Sequence, residues 1–214
     1  MRTPLISGAI VTTAIASVVS SAQAPNASAR DALVDVVVWG TYMKIDPSAY
    51  SPALKIEVER HLSRSEAYRS QRPQPENSPE LGMVYSAQVR YERRLVAVSE
   101  DPRAQALAVG YVDSLRPCYE WEGFHDCPER EATFAEEYQA THPGGPFSEY
   151  LPLLAAHRWL CTAEGYEGEQ RSADAARSRR AYEQAVLTAS KSATLLIRSA
   201  AEGLMARGRC LSSR

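Results

Sequence analysis

ELGMVYSAQVRYERRLVAVS, residues Glu80 to Ser99, decides the fold class. Its side chains Leu81, Val84, Gln88, Tyr91, Leu95 and Val98 recur in steps of three and four, which is one face of a helix and not the alternation of a strand. Arg90, Arg93 and Arg94 fall largely off that face. The stretch predicts an amphipathic helix.

The same grammar extends in both directions. Downstream, Asp101-Pro102 supplies a capping side chain and a first-turn proline, and the next helix carries Leu107, Ala108, Tyr111, Val112 and Leu115 before stopping at Pro117. Upstream, Leu54, Val58, His61, Leu62, Ser65 and Tyr68 predict a helix entered through Asp46-Pro47 and Ser51-Pro52, while Gln71 to Pro79 is proline-broken loop. The run Val34-Asp35-Val36-Val37-Val38-Trp39 has strand propensity, but no second such run exists to pair with it. An unpaired ladder leaves backbone groups unsatisfied, so Ala32 to Met43 is expected to be helical. Past Cys127, Pro128, Glu129 and Glu131 open a helix whose expected buried stripe is Phe134, Ala135 and Tyr138, broken at His142-Pro143-Gly144-Gly145-Pro146. Three more helices are expected: Ser148 to Glu164 closed by Gly165, Ala173 to Ala189, and one through Leu195, Leu196, Ala200, Leu204 and Met205 up to Gly208, with a break at Ser190-Lys191-Ser192. The expected class is all-α, about eight helices in an irregular helix-pair, α-solenoid-like stack.

At 214 residues, 44% hydrophobic and 23% charged, the chain is an ordinary globular length and composition. A formal charge of −2 lacks the basic excess of a nucleic-acid binder, and no nucleic acid is expected as a partner. Residues 1–24 differ from the rest. Met1-Arg2 is followed by an uncharged apolar stretch from Leu5 to Val19 and then by small residues ending in Ala22-Gln23-Ala24, the order of a signal peptide cut somewhere between residues 22 and 29. The stretch is too short for a membrane span. The expectation is one helical domain over residues 25–214, exported to a periplasmic or extracellular space. Loss of Arg2 with the leader takes one of 24 basic residues and no acid, moving the charge from −2 to −3.

Four cysteines in an oxidising compartment predict disulfides. Cys118 and Cys127 flank a short loop with a central Gly123, and are expected to pair. Cys161 and Cys210 reach similar heights only if the chain turns near Ser190, which makes the first and third of the last helices parallel. The alternative is zinc held by Cys118, Cys127, His157 and Cys161, since His157 and Cys161 share a helix face, but no Cys-x-x-Cys pair supports it. No cofactor is expected.

Within the expected disulfide loop, Tyr119, Trp121 and Phe124 put three aromatics in six residues, flanked by Glu120 and Glu122. Crosslinked aromatics make a recognition tip; packed inward, they are core. Seven acids from Glu120 to Glu137 face only Arg130, and read as a solvated face with a helix-dipole complement. Arg171, Arg177, Arg179 and Arg180 form a smaller basic cluster.

The turn His142 to Phe147 with Tyr150, Leu153-Leu154-Ala155, Ala181-Tyr182 and Ala185 resembles the helix pairs of tetratricopeptide-like proteins of the bacterial envelope. Helix pairs recur at roughly 45 residues, longer than that family's period. The resemblance implies a helical stack offering a groove to a protein partner, without enzyme activity. His125-Asp126-Cys127 is similar to a three-residue step in secreted phospholipases A2, which implies His125 as a general base with Asp126, but the calcium loop of that family is missing. With no other catalytic motif in the chain, the sequence points to an exported, non-enzymatic interaction module with an unidentified protein partner. A secreted hydrolase is the alternative.

Overall fold

A computed structural model of the chain describes residues 27–40, 45–75, 78–115, 117–118 and 121–211. The leader expected over residues 1–24 lies outside these, as do Tyr119 and Glu120. The described residues form α1 (Ala27–Val34), α2 (Pro52–Ala67), α3 (Pro79–Ala97), α4 (Ala104–Leu115), α5 (Asp126–Thr141), α6 (Leu151–Gly168), α7 (Ser172–Ala189) and α8 (Leu195–Arg207), and no strand. The starts follow the serine-proline punctuation: Ser51 accepts from the Leu54 N–H ahead of Pro52, and Ser78 accepts from Leu81 ahead of Pro79.

The valine run is helical, with a twist that propensity does not show. α1 passes into a π turn over Asp35–Trp39, closed by Gly40 in the left-handed region at φ 64°. Burial explains why strand-formers accept this geometry: Val34, Val36, Val37 and Val38 are all enclosed, so packing overrides intrinsic preference. The turn's carbonyls are taken up from outside the helix. Val37 O accepts from Tyr150 Oη at 3.2 Å, and Val38 O accepts from Arg94 Nη1 at 2.5 Å.

Helices stack in sequence, α2 on α3 on α4 and α5 on α6 on α7. α6 is buried almost all round, as its weak polar and apolar segregation requires. The last helix turns back to the first. α8 packs on α1 where Gly203 has no side chain; a Cβ there would stand 3.1 Å from Val34 Cγ2 and 3.2 Å from the Arg30 carbonyl. Asp35 and Arg207 pair across the same contact at 2.7 Å. Buried apolar side chains from all eight helices join one core cluster.

Two disulfides staple the stack, Cys118–Cys127 and Cys161–Cys210. The second depends on the expected break, since α7 ends at Ala189 and α8 starts at Leu195, which carries Cys210 back to α6. Gly165 corrects an expectation: it does not end α6, which runs on to Gly168. It marks a close approach instead. A Cβ on Gly165 would lie 2.7 Å from the His125 nitrogen and 2.9 Å from the Phe124 carbonyl carbon, so the disulfide loop rests on bare helix there. On α5 the buried face is Pro128, Glu131, Ala132 and Ala135, with Phe134 and Tyr138 only half-buried. Trp39 and Trp159 are likewise half-buried.

Candidate functional site around the disulfide loop

Two recesses flank the loop from Pro117 to Asp126. The outer one is a groove of about 560 Å³ between α3 and the loop, walled by Val84, Gln88, Pro117, Trp121 and Phe124, with Glu122, Asp126 and Arg130 along it. The helix that decides the fold also builds this groove. Its apolar stripe enters the core at Tyr91 and Leu95, but its first half does not: Leu81 is 55% exposed, and Val84 and Gln88 are half-buried against the groove. Phe124 is also 55% exposed. Glu122 and Asp126 are exposed, while Arg130 turns its guanidinium 2.8 Å from Cys118 Sγ.

The inner recess is a cavity of about 120 Å³ behind Trp121, bounded by Trp39, Tyr91, Arg94, Glu131 and Arg158 as well as the Cys118–Cys127 bridge. The rings of Trp39 and Trp121 stack with centroids 6.2 Å apart, and Trp121 Nε1 donates to the Phe124 carbonyl at 2.7 Å. Trp121 therefore packs on its own fold, while Phe124 points to solvent. The Arg158 guanidinium lies 4.3 Å from the Trp39 ring centroid and its Nε donates to Glu131 at 2.5 Å. Glu131 also takes weak bonds from Tyr91 Oη and the Cys118 N–H, each at 3.4 Å. The expected seven-acid solvated face is thus divided. Glu131 is a buried ion-pair member, Glu129 accepts from Tyr166 at 2.6 Å, and Glu136 accepts from Trp159 at 2.8 Å.

His125 sits on the far side of the loop and takes a different carboxylate from its neighbour Asp126. Its Nδ1 lies 2.6 Å from Glu169, its ring stacks on Tyr166 at 4.1 Å, and its Nε2 is 3.5 Å from Arg171. The bond from His125 holds the Glu169 carboxyl below its ordinary range. Burial, then the bond to Glu129, pushes the Tyr166 hydroxyl up to about 12. Gln170, between Glu169 and Arg171, has a φ of 61° that a non-glycine residue adopts rarely. Asp126 occupies the first turn of α5, where the helix dipole favours it. Three of the four basic residues expected as a cluster are paired, Arg171 and Arg177 with Asp174 and Arg179 with Glu167.

The four residues considered for zinc fall into two places. His157 stands with Cys161 and Cys210, and Cys118 and Cys127 stand with Glu131, each trio with its ligand atoms within 4.8 Å of one another. Bridged sulfurs have no thiolate to give a metal. His157 is spent otherwise: its Nε2 donates to the Cys210 carbonyl at 3.0 Å and its Nδ1 accepts from Arg158 at 2.9 Å. No helix among the described residues is long and apolar enough to cross a membrane. Compared with protein-family models, curated proteins and solved structures, the chain matches none.

Proposed function

We propose that this chain is an exported, non-enzymatic interaction module whose outer groove binds a protein segment bearing an apolar side chain next to a basic one. The observation that carries the reading is the stripe of α3 leaving the core. Leu81 and Val84 continue an apolar face that the fold covers only in part, and Phe124 stands exposed across the groove from Val84. Uncovered aromatic and aliphatic side chains beside a rigid crosslink suit a binding hot spot. Glu122 and Asp126 on the rim, with Arg130 directed at the disulfide, favour a basic partner. The signal-like leader and the cysteine pairing support export. Peptide display on the folded protein, counter-selected with Phe124→Ala, tests the reading. Enrichment of sequences combining Lys or Arg with a bulky apolar residue, lost on the variant, is expected. Equal enrichment on both proteins removes the groove.

One observation favours a second reading. Glu169 holds His125 Nδ1, which is how a general base is oriented, and Nε2 meets the partly exposed Arg171 guanidinium only at 3.5 Å. Ester hydrolysis that survives His125→Ala unchanged, or is absent from the wild type, eliminates it.

A further inference from the structure

One guanidinium at the inner cavity's wall has no carboxylate paired with it among the described residues, Glu131 being taken by Arg158. Arg94 is 5% exposed. Its Nη1 donates to Val38 O and its guanidinium carbon lies 4.1 Å from the Tyr91 ring centroid, yet its Nε has no hydrogen-bond partner. No Asp or Glu among the described residues pairs with it. Taking a charge out of water without a counter-ion is unfavourable, and burial this deep calls for an anion. The fold makes room for the side chain: a Cβ on Gly40 would stand 2.8 Å from Arg94 Cγ.

A second orphan donor, Trp39 Nε1, belongs to the same wall, and Arg90 lies exposed at the margin of the cavity. Arg158 contributes no excess charge, since Glu131 neutralises it. The buried surplus is therefore one positive charge, which suits a monoanion better than phosphate, whose charge at neutral pH approaches two. Stacked Trp39 and Trp121 add an apolar wall. The volume, about 120 Å³, is many times the ~10–15 Å³ that admits a single water. Water satisfies donors but leaves the charge uncompensated.

We propose that this cavity binds a small organic carboxylate, with its charge against Arg94, on the side where exposed Arg90 borders the cavity, and its apolar body against the two stacked tryptophans and the disulfide. The site is separate from the outer groove, so it stands whether or not a peptide binds there.

Calorimetry and thermal shift with benzoate and butyrate, against benzamide and inorganic phosphate, test the proposal on the wild type, Arg94→Met and Arg90→Gln. Saturable binding of at least one carboxylate is expected, with the neutral amide and phosphate at least tenfold weaker. Arg94→Met is expected to lose tenfold or more in affinity. Arg90→Gln, on an exposed side chain, is expected to lose about threefold and keeps the test decisive if the first variant does not fold. No carboxylate binding at tens of millimolar, equal binding of benzamide or phosphate, or unchanged affinity in the Arg90 variant and in a folded Arg94 variant overturns it.

Discussion

Arg158 Nε lies 2.5 Å from the Glu131 carboxylate, and both side chains are almost wholly withdrawn from solvent. Such a pair adds little compared with a well-packed apolar substitute, but breaking it strands a charge. Glu131→Ala is expected to lose about 3–5 kcal/mol by denaturant unfolding. Arg158→Met with Glu131→Leu is expected to recover most of that loss. A single Glu131 variant as stable as the wild type would contradict the burial described here.

Two glycines predict opposite signs. Gly165→Ala pushes a methyl into the backbone of residues 124–125 and is expected to destabilise by about 1–3 kcal/mol, shifting Trp121 fluorescence as the loop lifts. Gly82→Ala, on α3 with nothing within 4 Å of the new carbon, is expected to stabilise by about 0.5–1 kcal/mol. Thermal melts of both decide whether the loop truly rests on α6.

Acid sensitivity follows from two buried histidines. His61 donates to the Ala97 carbonyl, and burial pulls it from 6.5 to about 4. Burial, reinforced by Arg158 and Arg207, holds His157 well below its ordinary value. As pH falls below 6.5 the unfolded chain takes up protons that the folded chain refuses, so stability is full above 6.5 and declines toward about 4. Urea midpoints across that range are expected to drop steadily, and His61→Gln to flatten part of the slope. A midpoint constant over the window would show that neither histidine is buried and neutral.

The two disulfides should differ in weight. Cys161–Cys210 spans 49 residues and Cys118–Cys127 spans 9. Loop closure then gives about 4 kcal/mol for the first and about 2.6 kcal/mol for the second. Paired Cys→Ala variants are expected to rank in that order by denaturation. Only the loop variant is expected to alter groove binding.

The helices were legible because their punctuation is local. Ser-Pro starts, the Gly208 stop and three-four spacing all act within a turn or two. The sites were less so, because their members meet from afar. Arg94 and Val38 are 56 positions apart, and nothing near either announces the other. Glu131 sat in an acidic run that reads as surface, yet it shares a face with Pro128, Ala132 and Ala135. An acid on the small-residue side of a helix was the signal to weigh. Gly165 resembled a helix stop because composition cannot distinguish a terminator from a contact point. His125 could be paired with Asp126 by adjacency alone, whereas the α6–α7 turn brings Glu169 to it.

Since α8 is the main helical cover of α1, the first helix described is not fully packed until the last has been made. Holding back residues 195–211 strips that cover from Val34 and leaves Cys161 without its partner. Loss of α8 should therefore announce itself at α1, as protease cuts beside Val34 in chains truncated before Leu195.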